Sequence, residues 1–212
     1  MTIARQIAEI FLTERFQSRV KEYLMGAPEL KHESVIMTQL RIGLGLAGIA
    51  SRREVRADGF RHDLRIGADR FIEAKYHYEG DIGPIVESLR SAVDTAKRAK
   101  IMNPRAYKTA ERDMVVQAVR DRGAHWLLWM VLVRPTRIPD DYCFPNLIRQ
   151  FYWGESSNLS NGVARAQALM LVAADAFASL RGLECPLEWL PRIETNNGTL
   201  LTLLVQLRGA AA

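Results

Sequence analysis

The spacing of apolar residues changes period several times along the chain. Over residues 2–24, Ile3, Ile7, Ile10, Phe11, Phe16, Val20 and Leu24 recur at helical intervals, which predicts one amphipathic helix ending near Gly26 and Pro28. Residues 32–49 repeat that pattern through Val35, Ile36, Leu40, Leu44 and Ala47, while Gly43, Gly45 and Gly48 suit a helix lying close against a sheet. From Arg52 to Tyr78 the runs shorten and are divided at Asp58-Gly59 and Gly67-Ala68-Asp69, as in a meander of three antiparallel strands. Helical spacing returns over 81–100, through Ile82, Ile85, Leu89, Val93 and Ala96, with Pro84 in the first turn, and again over 106–121.

The run from His125 to Val133 is almost wholly apolar, the mark of a strand buried on both faces of a sheet. Residues 163–181 read as a further helix. Leu187 to Glu194 and Thr199 to Leu207, on either side of Asn197-Gly198, form a hairpin pattern. No repeat or low-complexity linker divides the chain, so residues 1–212 are expected to form a single domain.

The second turn of the meander carries the chemistry. If residues 67–69 make a three-residue turn, Ile66 lies opposite Arg70 and Asp63 opposite Glu73. Alternate residues share a face, so Asp63, Arg65, Phe71, Glu73 and Lys75 stand on one side and Leu64, Ile66, Ile72 and Ala74 on the other. The second set is a clean core surface. The first opposes two carboxylates whose Cβ atoms would be about 4.5–5.5 Å apart, an arrangement that repels unless a cation resolves it. Magnesium prefers oxygen ligands and takes one or two carboxylates, waters and phosphate oxygens. Lys75 follows about 6.6 Å along the strand on the same side, placed to orient and help deprotonate a water and to offset phosphate charge. The plain alternative is a solvated face on which Lys75 and Arg65 neutralise the two acids.

Asp63 followed by Glu73-Ala74-Lys75 resembles the PD-(D/E)xK nuclease superfamily, with His62 in place of the motif's proline. The resemblance spans about residues 30–135. It implies an α/β fold with a restriction endonuclease-like αβββαβ core, in which a central mixed sheet is flanked by helices. An N-terminal helix and a C-terminal helix plus hairpin would be additions. It also implies that Asp63, Glu73 and the Ala74 carbonyl bind metal, that Lys75 activates water, and that a glutamate of the first core helix joins them. Glu33 is the favoured candidate, with Glu29 less so; an early-turn acid such as Glu33 would equally complement a helix dipole.

The 29 Lys and Arg residues against 24 Asp and Glu give +5 and a pI near 9.4, which suits an anionic partner without demanding one. Arg52, Arg53, Arg56, Arg61 and Arg65 are the phosphate-contact candidates, and Tyr76, Tyr78 and Trp153 candidates for stacking on bases. If Asp58-Gly59 closes a two-residue turn, Glu54 falls opposite Asp63, where pairing with an arginine is the simpler expectation, and His62 falls on the far face as a structural residue. His77 reads as polar strand edge. Cys143 and Cys185 lack zinc or disulfide spacing, and no apolar run reaches the roughly 18 residues of a membrane span, so a cytoplasmic location is expected. The expected activity is a Mg²⁺-dependent DNA endonuclease, with Mn²⁺ substituting. RNA cleavage or a non-catalytic binding or scaffold role is the alternative, and a homodimer is compatible with cutting both strands.

Overall fold

The computed structural model describes residues 2–26, 32–57, 59–99, 108–120, 123–134, 159–182, 184–195 and 198–208. Its elements in order are helices α1 (Ile3–Leu12), α2 (Glu14–Gly26) and α3 (Glu33–Leu46) and strands β1 (Ser51–Ala57), β2 (Phe60–Ile66) and β3 (Arg70–Tyr78). Then come α4 (Glu79–Ala99), α5 (Thr109–Val119), β4 (Trp126–Val133), α6 (Leu159–Arg181), β5 (Leu187–Trp189), β6 (Ile193–Thr195) and β7 (Gly198–Gln206). The fold is mixed α/β. A seven-stranded sheet runs in the order β1-β2-β3-β4-β7-β5, and β6 also pairs with β7. β3 and β4 are parallel, and the other pairings are antiparallel.

Helices cover both faces. On one, Ile7, Phe11, Val20, Ile36 and Leu40 from α1–α3 pack with Leu64, Ile72, Ala74, Met130 and Leu204. On the other, Ile82, Leu89, Val115, Met170 and Phe177 from α4–α6 pack with Leu127, Trp129, Val131 and Leu203. β4 and β7 feed both cores, so both read as unbroken apolar runs.

The expected first helix is two. Its seven apolar positions are all buried, but it breaks at Thr13, whose Oγ1 donates to Ile10 O at 2.8 Å and accepts from Phe16 N–H at 3.3 Å. A threonine hydroxyl offers the backbone a local alternative to the helical ladder, closing one helix and capping the next. The glycines of α3 also act differently from expectation. A Cβ on Gly43 would collide with Ile10, so this glycine admits α1 rather than the sheet. Ala47, which caps the end of that helix, is exposed and not in the core.

The C-terminal strand before the hairpin is likewise divided, into β5 and β6. Pro191, between them, lacks the N–H needed for a continuous ladder. Thr195 pairs with Gly198, which puts Gly198 in the strand instead of the turn; a Cβ there would meet Val133 O at 2.5 Å. One helix among the described residues is long and apolar enough to cross a membrane, over Gly162–Arg181 with mean hydropathy 1.4. No such segment was expected, because charged residues interrupt the run while its alanines raise the average. Its Ala166, Met170, Ala173 and Phe177 are buried in the second core.

Candidate functional site

The two turns set the registers. Ala57 pairs with Phe60, and Ser51 with Ile66, as a two-residue connection requires; Asp58 lies outside the described residues. Ile66 pairs with Arg70, Arg65 with Phe71 and Leu64 with Ile72, a register that would set Asp63 opposite Glu73 if it continued. The ladder stops one residue short of that pair. Strand β1 loses its pairing at the same level, at Glu54, whose φ of 52° lies in the left-handed region that non-glycine residues rarely enter. The kink breaks strict alternation: His62 is buried against Phe71, with ring centroids 4.5 Å apart, and so belongs to the Phe71 face and not the far one.

Where β2 leaves β3, the inner edge of β3 needs new partners. Leu64 and Ile72 form the last pair, so the next N–H groups pointing toward β2 belong to Ala74 and Tyr76. The Asp63 carboxylate takes the first, with Oδ2 at 2.8 Å from Ala74 N. That acid stands in for a strand that has turned away. Glu33, at the start of α3, lies near the next of these groups, the Tyr76 N–H, which favours its charged form. In an extended strand the N–H and C=O of one residue point to the same edge, so the Ala74 carbonyl opens into this gap too.

Glu73 and Lys75 come up beside it on the α4–α6 side. Glu73 is buried, and its Oε1 accepts from Lys75 Nζ at 2.9 Å and from Gln117 Nε2 at 3.2 Å. Burial pushes the Glu33 carboxyl above the usual carboxylate range, Lys75 pulls it down, and Asp63 and Glu73 push it further up. Burial alone would lower the Lys75 ammonium, but Glu73, Glu33 and Asp63 around it raise it above the ordinary lysine value. The four residues therefore sit in one another's electrostatic field: three carboxylates about one ammonium.

Two carboxylates and a main-chain carbonyl could hold a hard divalent cation and would leave room for waters and phosphate oxygens. Among the described residues, no group of three or more His, Cys, Asp or Glu side chains is arranged to hold a metal ion by itself. Glu33 is a neighbour of the pair more than a third arm of a closed cage.

The other candidates fall in varied places. Arg52 pairs across the ribbon with Arg65, and Arg56 with Arg61. Arg52, Arg56 and Arg61 are exposed, and Arg65 is half-buried. Arg61 holds Glu54 at 2.9 Å, the pairing expected for that acid. Arg53 turns inward to Ser34 O at 2.8 Å and to Thr38, tying β1 to α3. Tyr76 is buried, whereas Tyr78 is half-buried beneath the Arg134 guanidinium, 4.5 Å from the ring centroid. His77 is buried rather than at a polar edge, and the Trp129 indole N–H donates to its Nδ1 at 2.9 Å. Glu29, Trp153 and Cys143 lie outside the described residues.

Gln117 is the residue at this site that sequence reasoning missed. Its only signal was a polar side chain on the apolar stripe of Met114, Val115 and Ala118, 44 residues from Glu73. No family model matches the chain, and neither a curated protein nor a solved structure is significantly similar to it.

Proposed function

We propose that the chain is a magnesium-dependent deoxyribonuclease, an endonuclease with a restriction endonuclease-like core made by α3, β1–β3, α4 and β4. The observation that carries this reading is the junction at which β2 parts from β3. There Asp63 is pinned on the Ala74 N–H beside Glu73 and Lys75, and Glu33 is drawn into the same field. The order of elements supports it, with α5 as an insertion before β4.

Asp63, Glu73 and the Ala74 carbonyl would hold Mg²⁺, or Mn²⁺ in its place, which supplies activation of water and stabilisation of charge on the phosphodiester. Lys75 keeps its proton among three carboxylates, so it suits orienting the water and offsetting phosphate charge more than accepting a proton. Glu33 adds negative charge that favours a cation at the gap. Along β1 and β2, opposed arginines at Arg52/Arg65 and Arg56/Arg61 repel unless an anion lies between them, which suits a nucleic-acid backbone. Within that strip Arg61 already holds Glu54, and Arg53 is turned to Ser34, which leaves Arg52, Arg56 and Arg65 as the stronger phosphate contacts. Double-strand cutting would call for a second copy, so a homodimer belongs to this reading.

The competing reading is a nucleic-acid-binding protein that cuts nothing, favoured by the Lys75–Glu73 ion pair that neutralises the site internally. Incubation of supercoiled plasmid, single-stranded DNA and RNA with Mg²⁺, Mn²⁺ or EDTA separates the two. The wild type cuts DNA only with metal, and Glu73→Ala and Lys75→Ala each lose about 100-fold or more. Binding without cleavage under every metal supports the competing reading, and cleavage of RNA alone makes the chain a ribonuclease.

A further inference from the structure

Gln117 and Arg181 form a chain of contacts that starts at the C-terminal elements and ends on Glu73. Gln117 is 2% exposed, in a helix packed between α4 and α6. An amide in that setting is costly unless its hydrogen bonds are made, and its Nε2 spends one on Glu73 Oε1 at 3.2 Å. Lys75 Nζ donates to the same oxygen, so two donors from different elements fix the plane of one carboxylate. The position of Gln117 is itself held: Arg181, at the end of α6, donates from Nη1 to Gln117 O at 3.1 Å and from Nη2 to Leu207 O at 3.4 Å.

We propose that Gln117 is a positioning residue for Glu73, anchored by Arg181, through which α5, α6 and the segment after β7 set how readily the site takes a divalent cation. This rests on the nuclease reading and extends it to the inserted helix α5 and, through Arg181 and Leu207, to elements beyond residue 135. A group that orients a metal-binding carboxylate changes metal affinity and turnover without touching substrate. The Lys75 ammonium ends a long stem with many rotatable bonds, whereas the Gln117 side chain is shorter and fully buried, so Gln117 supplies the more rigid half of the arrangement.

The test uses the full chain, with Mn²⁺ alone as the calorimetric probe, plasmid cleavage as a second readout and a thermal melt as the folding control. Gln117→Met keeps the length and removes the donor. It weakens Mn²⁺ binding about tenfold and lowers kcat by a similar factor, with KM for plasmid unchanged. Gln117→Glu adds a carboxylate beside Glu73. It tightens Mn²⁺ binding several-fold and still lowers kcat, because Glu73 keeps Lys75 but loses its Gln117 donor. A purely structural residue would shift both variants the same way in the melt and leave Mn²⁺ affinity alone, and that outcome overturns the proposal. If Gln117→Met does not fold, unchanged Mn²⁺ affinity in Gln117→Glu overturns it instead. A wild type that binds Mn²⁺ and cuts DNA, but is indifferent to either variant, rejects the role of Gln117 only. A wild type that does neither rejects the metal-site reading and this proposal with it.

Discussion

At the scale of single residues, Glu33 shows how this cluster trades stability for chemistry. Burial raises its carboxyl above the ordinary value, so the folded chain holds that proton more tightly than the unfolded chain does. Its contribution to stability is therefore full below the ordinary value of 4.5 and lost as pH rises through the raised one. Near neutral pH the ionised form destabilises. Glu33→Gln is expected to melt about 2–4 °C higher than wild type at pH 7, the shift that roughly 1 kcal/mol gives a domain of this size. The gain shrinks as pH falls below the raised value. Melting curves from pH 4 to 8 check both the size and the sign, and a variant that melts lower at pH 7 contradicts the account.

Asp63 can be probed in the same terms. Its Oδ2 satisfies the Ala74 N–H, and that bond matters to folding as well as to the site. Asp63→Ala leaves the N–H without its acceptor and is expected to cost about 1–3 kcal/mol. Asp63→Asn keeps a carbonyl oxygen for that bond and is expected to melt within a few degrees of wild type while losing cleavage. Chemical denaturation of the two variants beside a plasmid assay separates the structural role from the catalytic one. The β2–β3 register up to Leu64 and Ile72 was legible because a turn length determines a register. The Ala74 bond was not, since nothing in the residue pattern announces that a ladder stops.

At the scale of elements, the helix junctions make distinct predictions. Thr13→Ala removes the hydroxyl that closes α1 and caps α2, and is expected to cost about 1 kcal/mol. Gly43→Ala drives a methyl into Ile10 and is expected to cost about 1–3 kcal/mol, even though alanine is the better helix former. Pairing it with Ile10→Ala, which removes the γ-carbons the new methyl would meet, should cost less than the sum of the two single changes. Equilibrium unfolding of the single and double variants measures the coupling, and simple additivity would show that the clash with Ile10 is not the cause. The period of the apolar residues located these helices well. It misread the break at Thr13 and the partner of Gly43 because a hydroxyl bonding its own backbone and a helix lying on a helix leave the same periodic trace as a continuous helix on a sheet.

At the scale of the whole molecule, a net charge of +5 and the opposed arginines of the β1–β2 ribbon make an electrostatic prediction. DNA affinity, measured by fluorescence anisotropy, should fall steeply with salt. Replacing Arg52 and Arg56 with alanine should reduce the slope of log K against log[salt] by about one for each phosphate that is no longer neutralised. A slope unchanged by both substitutions would move the DNA path off this ribbon.

What the residue order determined by itself was local: the periods that distinguish helix from strand, the turn lengths that set the β1–β2 and β2–β3 registers, and the apolar faces that two helical layers cover. Those are readable because they depend on neighbours a few positions apart. Only the tertiary structure decided that β2 parts from β3 after Leu64, that Asp63 takes the Ala74 N–H, and that Gln117 and Lys75 meet on one oxygen of Glu73. Each joins backbone or side chains from separate elements, and their meeting follows from how whole layers pack on one sheet, a property that no short stretch of residues carries.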